Sequence, residues 1–288
     1  MNLFMFGVGY SALHFARTHR KKFNRIAGTV RTHEKCTALR SDGIEAFVMN
    51  GEEAEPAMAS ALGDYDAWLV SIAPDALGDP VLNRLDPIAS LSPRRIVYLS
   101  TIGVYGDHGG AWVDETTPPK PTSLRSRWRL DAEIHWTQFA RAHGSDLHIL
   151  RLAGIYGPGR SAIDNLREGK ARRIVKKDQV FNRIHVADIA LAIATCFSHP
   201  LSGTANVWNV TDSEPSPPQE VVAYAARLLG IEPPPEIPFE KAQMTPMARS
   251  FYGENKRVSN EALRERLGVT LTCPTYREGL KSLLDQPK

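Results

Sequence analysis

Apolar runs alternate with stretches of helical period through the first half of the chain, the order of strand–helix–strand units in a parallel sheet. Strands are predicted at 2–6, 25–30, 45–49, 67–72, 95–100, 147–152 and 206–210. Several, such as "NLFMF" and "AWLVSI", are apolar without interruption, so both faces of the sheet should be covered by helices. Beyond residue 157 the pattern loosens into helices separated by loops, with prolines concentrated at 213–218 and 233–238. The expected organisation is a first domain over 1–157, with a return segment near 181–211, and a smaller substrate-binding region over 158–288.

The first strand runs into "GVGYSA", which places Gly7, Gly9 and Ala12 in G-x-G-x-x-A spacing ahead of a helical stretch. The first glycine permits a tight turn, the second admits a pyrophosphate to the backbone, and the small third residue lets helix and strand pack closely. The free amides and the dipole at the helix start then hold the phosphates. The fold class implied is α/β, a Rossmann-type doubly wound parallel sheet. The expected cofactor set is Gly7, Gly9, Tyr10, Ser11 and Ala12 at the loop, with Ile72, Ala73 and Ser100 at the ends of the fourth and fifth strands. At the end of the second strand, where an acid would read the ribose of NAD, stands Arg31, followed by Thr32. A guanidinium there suits a 2′-phosphate, so NADP is expected with NAD possible, the latter if Glu34 meets the ribose instead.

With 42% hydrophobic and 23% charged residues among 288, the chain has the composition of an ordinary soluble protein. Three widely spaced cysteines, Cys36, Cys196 and Cys273, indicate neither a disulfide framework nor a metal site, and point to a reducing compartment. The opening apolar run is too short to span a bilayer and its basic residues follow it, which gives an expectation of a cytoplasmic protein with no membrane partner. Net charge is +3, and the basic groups lack interleaved aromatics, so no nucleic acid is expected. The partner expected is a small-molecule substrate, with the chain a monomer or homodimer.

From "VYLSTIGVYGDHGGAWVDETTPPKPTS" through "LRLAGIYGPGR", "FNRIHVADIALAI" and "ANVWNVTD", the sequence resembles the extended short-chain dehydrogenases/reductases, in their NAD-dependent epimerase/dehydratase branch. The resemblance implies a small C-terminal substrate lid and catalysis by a Ser/Thr with a Tyr-x-x-x-Lys pair. Thr101 matches the Ser/Thr. Counting back from Glu133 in "PTSLRSRWRLDAE" puts Arg125 at the tyrosine and Arg129 at the lysine, and no register slip restores the pair. A guanidinium stays protonated and cannot cycle as acid and base. The chain therefore resembles the atypical members that lack the dyad. Ile102 and Gly103 replace the Asp-Glu pair of the sugar dehydratases, which argues against 4,6-dehydration.

Tyr105 offers a substitute proton source or a wall of the site, and Tyr156 a substrate contact or a wall. Arg160 and Arg183 stand where members contact the phosphates of nucleotide-linked sugars, or else form ion pairs. His185 is read as a packing residue at a helix start, and Asp114 and Glu115 as loop caps. Arg129 is expected to take over the lysine's ribose contact, and Arg125 to clamp an anionic group of the substrate. Two functions remain open: an NADP-dependent oxidoreductase or epimerase, and a catalytically silent NADP(H) sensor.

Overall fold

The computed structural model describes residues 1–50, 56–85, 91–201 and 205–284. β1 (Leu3–Phe6) and α1 (Tyr10–His19) are followed by β2 (Ile26–Val30), α2 (His33–Ser41), β3 (Glu45–Val48) and α3 (Pro56–Leu62). Next come β4 (Ala67–Val70), a one-turn α4 (Leu82–Leu85), β5 (Arg95–Thr101) and the two-residue β6 (Trp112–Val113). The 20-residue α5 (Leu124–His143) precedes β7 (Asp146–Leu152), β8 (Gly154–Tyr156), α6 (Ala162–Arg167) and β9 (Arg173–Val175). β10 (Arg183–His185), α7 (Val186–Ser198), β11 (Ala205–Val210) and α8 (Pro218–Leu228) follow. The chain closes with β12 (Glu236–Pro238), α9 (Pro246–Ser250), β13 (Arg257–Val258) and α10 (Tyr276–Lys281).

Seven strands form one sheet in the order β11-β7-β5-β4-β1-β2-β3. They are the seven read from the apolar pattern, with bounds shifted by two residues at most. β1 pairs in parallel with β2 on one side and with β4 on the other, so Leu3 faces both Ile26 and Ala67. The order reverses between these two neighbours, and in such sheets ligands bind beyond the carboxyl ends of the strands at that point.

Two compact units divide the chain. The first comprises 1–101, 123–151 and 190–208, and contains most of the sheet. Its core gathers Phe4 and Phe6 of β1, Trp68 of β4, Tyr98 of β5, Leu147 of β7 and, from α5, Trp136. Trp68 meets Phe6 edge-on at 5.4 Å. Truncating Trp136, which is wholly buried, would cost on the order of 3–5 kcal/mol.

The second unit comprises 102–122, 152–189 and 209–288. One of its apolar clusters joins Tyr156, Val221, Ala225, Tyr276 and Leu280; another joins Ile174, Ala242 and Tyr252. Residues 102–122, which the sequence reading kept with the first domain, pack here instead. β6 pairs in parallel with β13, and Lys256 Nζ donates to Gly106 O at 2.6 Å. Gly106 has φ +73°, and any Cβ there would collide with the carbonyl of Lys120, so the loop closes tightly on itself.

No helix among the described residues is long and apolar enough to cross a membrane, and they hold no cluster of His, Cys, Asp and Glu suited to a metal. The three cysteines are buried and form no disulfide.

Candidate functional site

The glycine loop lies where β1 ends. Gly7 turns the chain with φ +86°, donates its N–H to Thr29 Oγ1 at 2.8 Å, and would press a Cβ against Ile72 Cγ1 at 2.7 Å. Its glycine is thus explained by the fold itself. Gly9 is different. Its φ of −92° suits any residue, and, its chain neighbours apart, no atom of the described residues lies within 4 Å of where its Cβ would be. Gly9 is also the N-cap of α1, has no side chain to cap it, and is followed by no acid in the first helical turn. The result is an open space over an uncapped helix N-terminus, the geometry that accepts a phosphate. Ala12 is buried against the sheet, as the close packing of helix and strand requires. Tyr10 and the buried Ser11 occupy the first turn.

Arg31 and Thr32 are exposed just beyond β2. The Thr32 hydroxyl caps α2, accepting from Lys35 N at 3.4 Å, and Arg31 makes no hydrogen bond or ion pair with the described residues.

On the other side of β1, the carboxyl ends of β4 and β5 are held by α5. Ser71 donates its hydroxyl to Gly7 O, joining the β4 end to the glycine loop. Arg129 Nη1 donates to Leu99 O at 2.7 Å, Tyr98 Oη at 3.0 Å and Ile72 O at 3.4 Å. One turn later, Glu133 accepts from Ser100 Oγ at 2.5 Å and pairs with Arg151 Nη2 of β7 at 2.7 Å. Glu133 and Arg151 are both buried, so each supplies the countercharge the other needs. The hydroxyl of Ser100 is committed to Glu133, while Thr101 closes β5 half-buried. Ile72 is half-buried and Ala73 exposed. Arg125, four residues before Arg129, is exposed, with no hydrogen bond or ion pair to the described residues. The two arginines do not compete, because Arg129 turns inward to carbonyls.

The remaining expected residues lie in the second unit. Tyr105 is fully buried and donates to Asn209 Oδ1 at 2.8 Å, so its proton is committed there. Tyr156 is buried against Gly279 of α10, its hydroxyl has no hydrogen-bond partner among the described residues, and burial pushes its pKa well up. Arg183 Nη1 donates to Phe181 O and to both oxygens of Ser216, at 3.0–3.2 Å. Arg160 is exposed beside Gly157, with which it forms an isolated bridge. His185 Nδ1 accepts from Ala187 N, capping α7. Asp114 caps its turn through Thr116 and Thr117, and bonding to Thr116 lowers its pKa. Glu115 does not cap a loop; it accepts from Asn209 N at 2.7 Å.

Sequence reasoning missed Arg151, Asp212 and Asp79. Asp212 is wholly buried, and desolvation raises its pKa to about 7. Asp79, also buried, accepts from Trp136 Nε1 at 3.1 Å. The only signal in the sequence was an ionisable residue at the edge of an apolar run.

Residues 80–211 match the model of the NAD dependent epimerase/dehydratase family. Over these residues the chain is similar to that family. A functionally unknown conserved protein from Silicibacter pomeroyi DSS is 49% identical, with a TM-score of 0.88 over 98% of this chain and 97% of its own. Protein YeeZ of Escherichia coli K12 is 28% identical over 240 residues, 79% of this chain and 84% of YeeZ. The UDP-glucuronic acid 4-epimerase from Bacillus cereus, solved in complex with NAD, shares the fold at a TM-score of 0.78 over 98% of this chain and 96% of that one, with 14% identity.

Proposed function

We propose that this chain binds a nicotinamide dinucleotide, NADP in preference to NAD, and uses it in an oxidoreductase or epimerase reaction on an anionic small molecule. The observation that carries the reading is Gly9: a glycine with ordinary backbone angles and unfilled space, over an uncapped helix start. Internal packing does not require that glycine, whereas a pyrophosphate does. The B. cereus epimerase, which shares the fold, was solved with NAD. A bound nicotinamide supplies hydride exchange.

The protein's own part follows from its groups. Gly9 and the first amides of α1 hold the pyrophosphate, and Arg31 pairs with a 2′-phosphate. Thr101 donates to the oxygen of the reacting carbon, and the exposed Arg125 binds an anionic group of the substrate with its fork. Neither arginine delivers the proton, and Tyr105 is bonded to Asn209. Water, reaching the substrate oxygen beside Thr101, is the remaining donor.

Calorimetric titration with NADPH and NADH tests the reading. NADPH is expected to bind more tightly, and Arg31→Asp to reverse the order; binding of neither overturns it. The arginines at 125 and 129 favour a second reading, a cofactor sensor without turnover. Transfer of deuterium from 4-deuterated NADPH into any component of a metabolite extract would decide against it.

A further inference from the structure

In a doubly wound sheet the dinucleotide lies across the point where strand order reverses, here between β1 and β4. Arg31, at the end of β2, marks the side of the adenosine ribose, so the nicotinamide half belongs beyond β4 and β5. The ends of these strands are held in an unusual way. A single nitrogen, Arg129 Nη1, reaches the carbonyls of Ile72, just past β4, and Leu99, in β5, together with the hydroxyl of Tyr98. The Arg129 guanidinium also lies 5.6 Å from the centre of the Tyr98 ring.

Among the described residues no carboxylate forms an ion pair with this charge. Glu133, the nearest acid along the inward face of α5, is taken up by Ser100 and by Arg151. Asp79 accepts from Trp136 and from the amides of Val81 and Leu82, and burial raises its pKa. Moreover α5 opens with Arg125, Arg127 and Arg129 and no acid in its first turn, against the polarity of its own dipole. A guanidinium nitrogen aimed at two main-chain carbonyls on neighbouring strands acts through its reach.

We propose that Arg129 is a positioning residue: its Nη1 ties the carboxyl ends of β4 and β5 together, fixing Ile72, Ala73 and Thr101 as the floor on which the nicotinamide half of the cofactor rests. Glu133 completes the same device one turn later by locking Ser100. A lysine at 129 would carry the charge, yet its stem is one bond shorter and flexible, so its ammonium would not be held against both carbonyls as Nη1 is. The inference rests on the proposed cofactor binding and adds which chain geometry that binding uses.

The test compares the full chain with Arg129→Lys and Arg129→Met. Each is titrated with NADPH and NADH, and with the adenosine-half fragments 2′,5′-ADP and ADP; hydrogen exchange is followed on the free protein. Both variants should bind the fragments like the parent and lose about tenfold in affinity for the whole dinucleotide, the equivalent of one charge-assisted hydrogen bond. Amides at 71–73 and 99–102 should exchange about tenfold faster. Parent-like binding and exchange in Arg129→Lys would overturn the proposal, because charge alone would then suffice. Equal losses for fragment and dinucleotide would also overturn it, since the damage would be general. If the parent binds no dinucleotide, the functional reading falls, while the exchange rates still decide whether Arg129 ties the two strands.

Discussion

Trp208 Nε1 donates to His148 Nδ1 at 3.1 Å, inside the first unit. With Nδ1 accepting, the proton of the neutral ring sits on Nε2, which lies 3.0 Å from His199 O and donates to it. Burial lowers the His148 pKa to about 4. The folded value is below the unfolded one, so the neutral ring's contribution is complete above pH 6.5 and is lost as pH falls toward 4. An imidazole resonance titrating near pH 4, and absent from His148→Gln, is the expected NMR result.

Asp212 runs the other way. Its folded pKa of about 7 lies above the carboxylate's usual 3.8, because burial penalises the charge and only Oδ1 is bonded, to Glu214 N. The benefit of the protonated form is complete below about pH 4 and is lost as pH rises to about 7, with a slope of at most about 1.4 kcal/mol per pH unit. Asp212→Asn should remove this slope from chemical denaturation curves measured between pH 4 and 8. A slope unchanged by the substitution would contradict the assignment.

Gly9→Val should separate fold from ligand. The backbone at Gly9 tolerates a side chain and the space above it is open, so the thermal midpoint should stay within a few degrees of the parent. NADPH binding, followed by its fluorescence, should be lost.

Tyr156 and Gly279 make a coupled pair. A Cβ at Gly279 would overlap the phenol of Tyr156, so Gly279→Ala should cost about 1–3 kcal/mol as overpacking. Tyr156→Phe removes a buried hydroxyl that has no partner, and should be neutral or stabilising. Denaturant unfolding of the double variant should show partial rescue, because the ring carbons still crowd the new methyl.

Breaking the buried pair on α5 and β7 should be costly. Glu133→Gln leaves the Arg151 guanidinium in the core without its counterion, and the expected loss is about 3–5 kcal/mol in urea unfolding.

The sheet was legible in the sequence because strands buried on both faces are written as unbroken apolar runs, as in "LFMF" of β1. The glycine loop was legible because its spacing carries its own geometry. The arginines at 125 and 129 could be placed by counting, but the destination of Arg129 could not. Its acceptors are main-chain carbonyls 30 and 57 residues away, and a carbonyl leaves no trace in a sequence. The pairing of β6 with β13 was hidden for another reason: two-residue strands are too short to show a period, so the placement of 102–122 in the second unit emerges only from tertiary contacts.

The chain passes between the two units five times, and the first is not complete until residue 208. During synthesis at 5–20 residues per second, a ribosome needs roughly 3–11 s to pass from the end of β7 to the end of that last segment. Until then the nascent polypeptide carries β7 without its neighbour β11, and so exposes a sheet edge bordered by wholly buried residues. Such an edge invites pairing with another unfinished chain. A helper that shields it, or a slower passage of translation before residue 205, would bear on yield more than any change to the finished molecule.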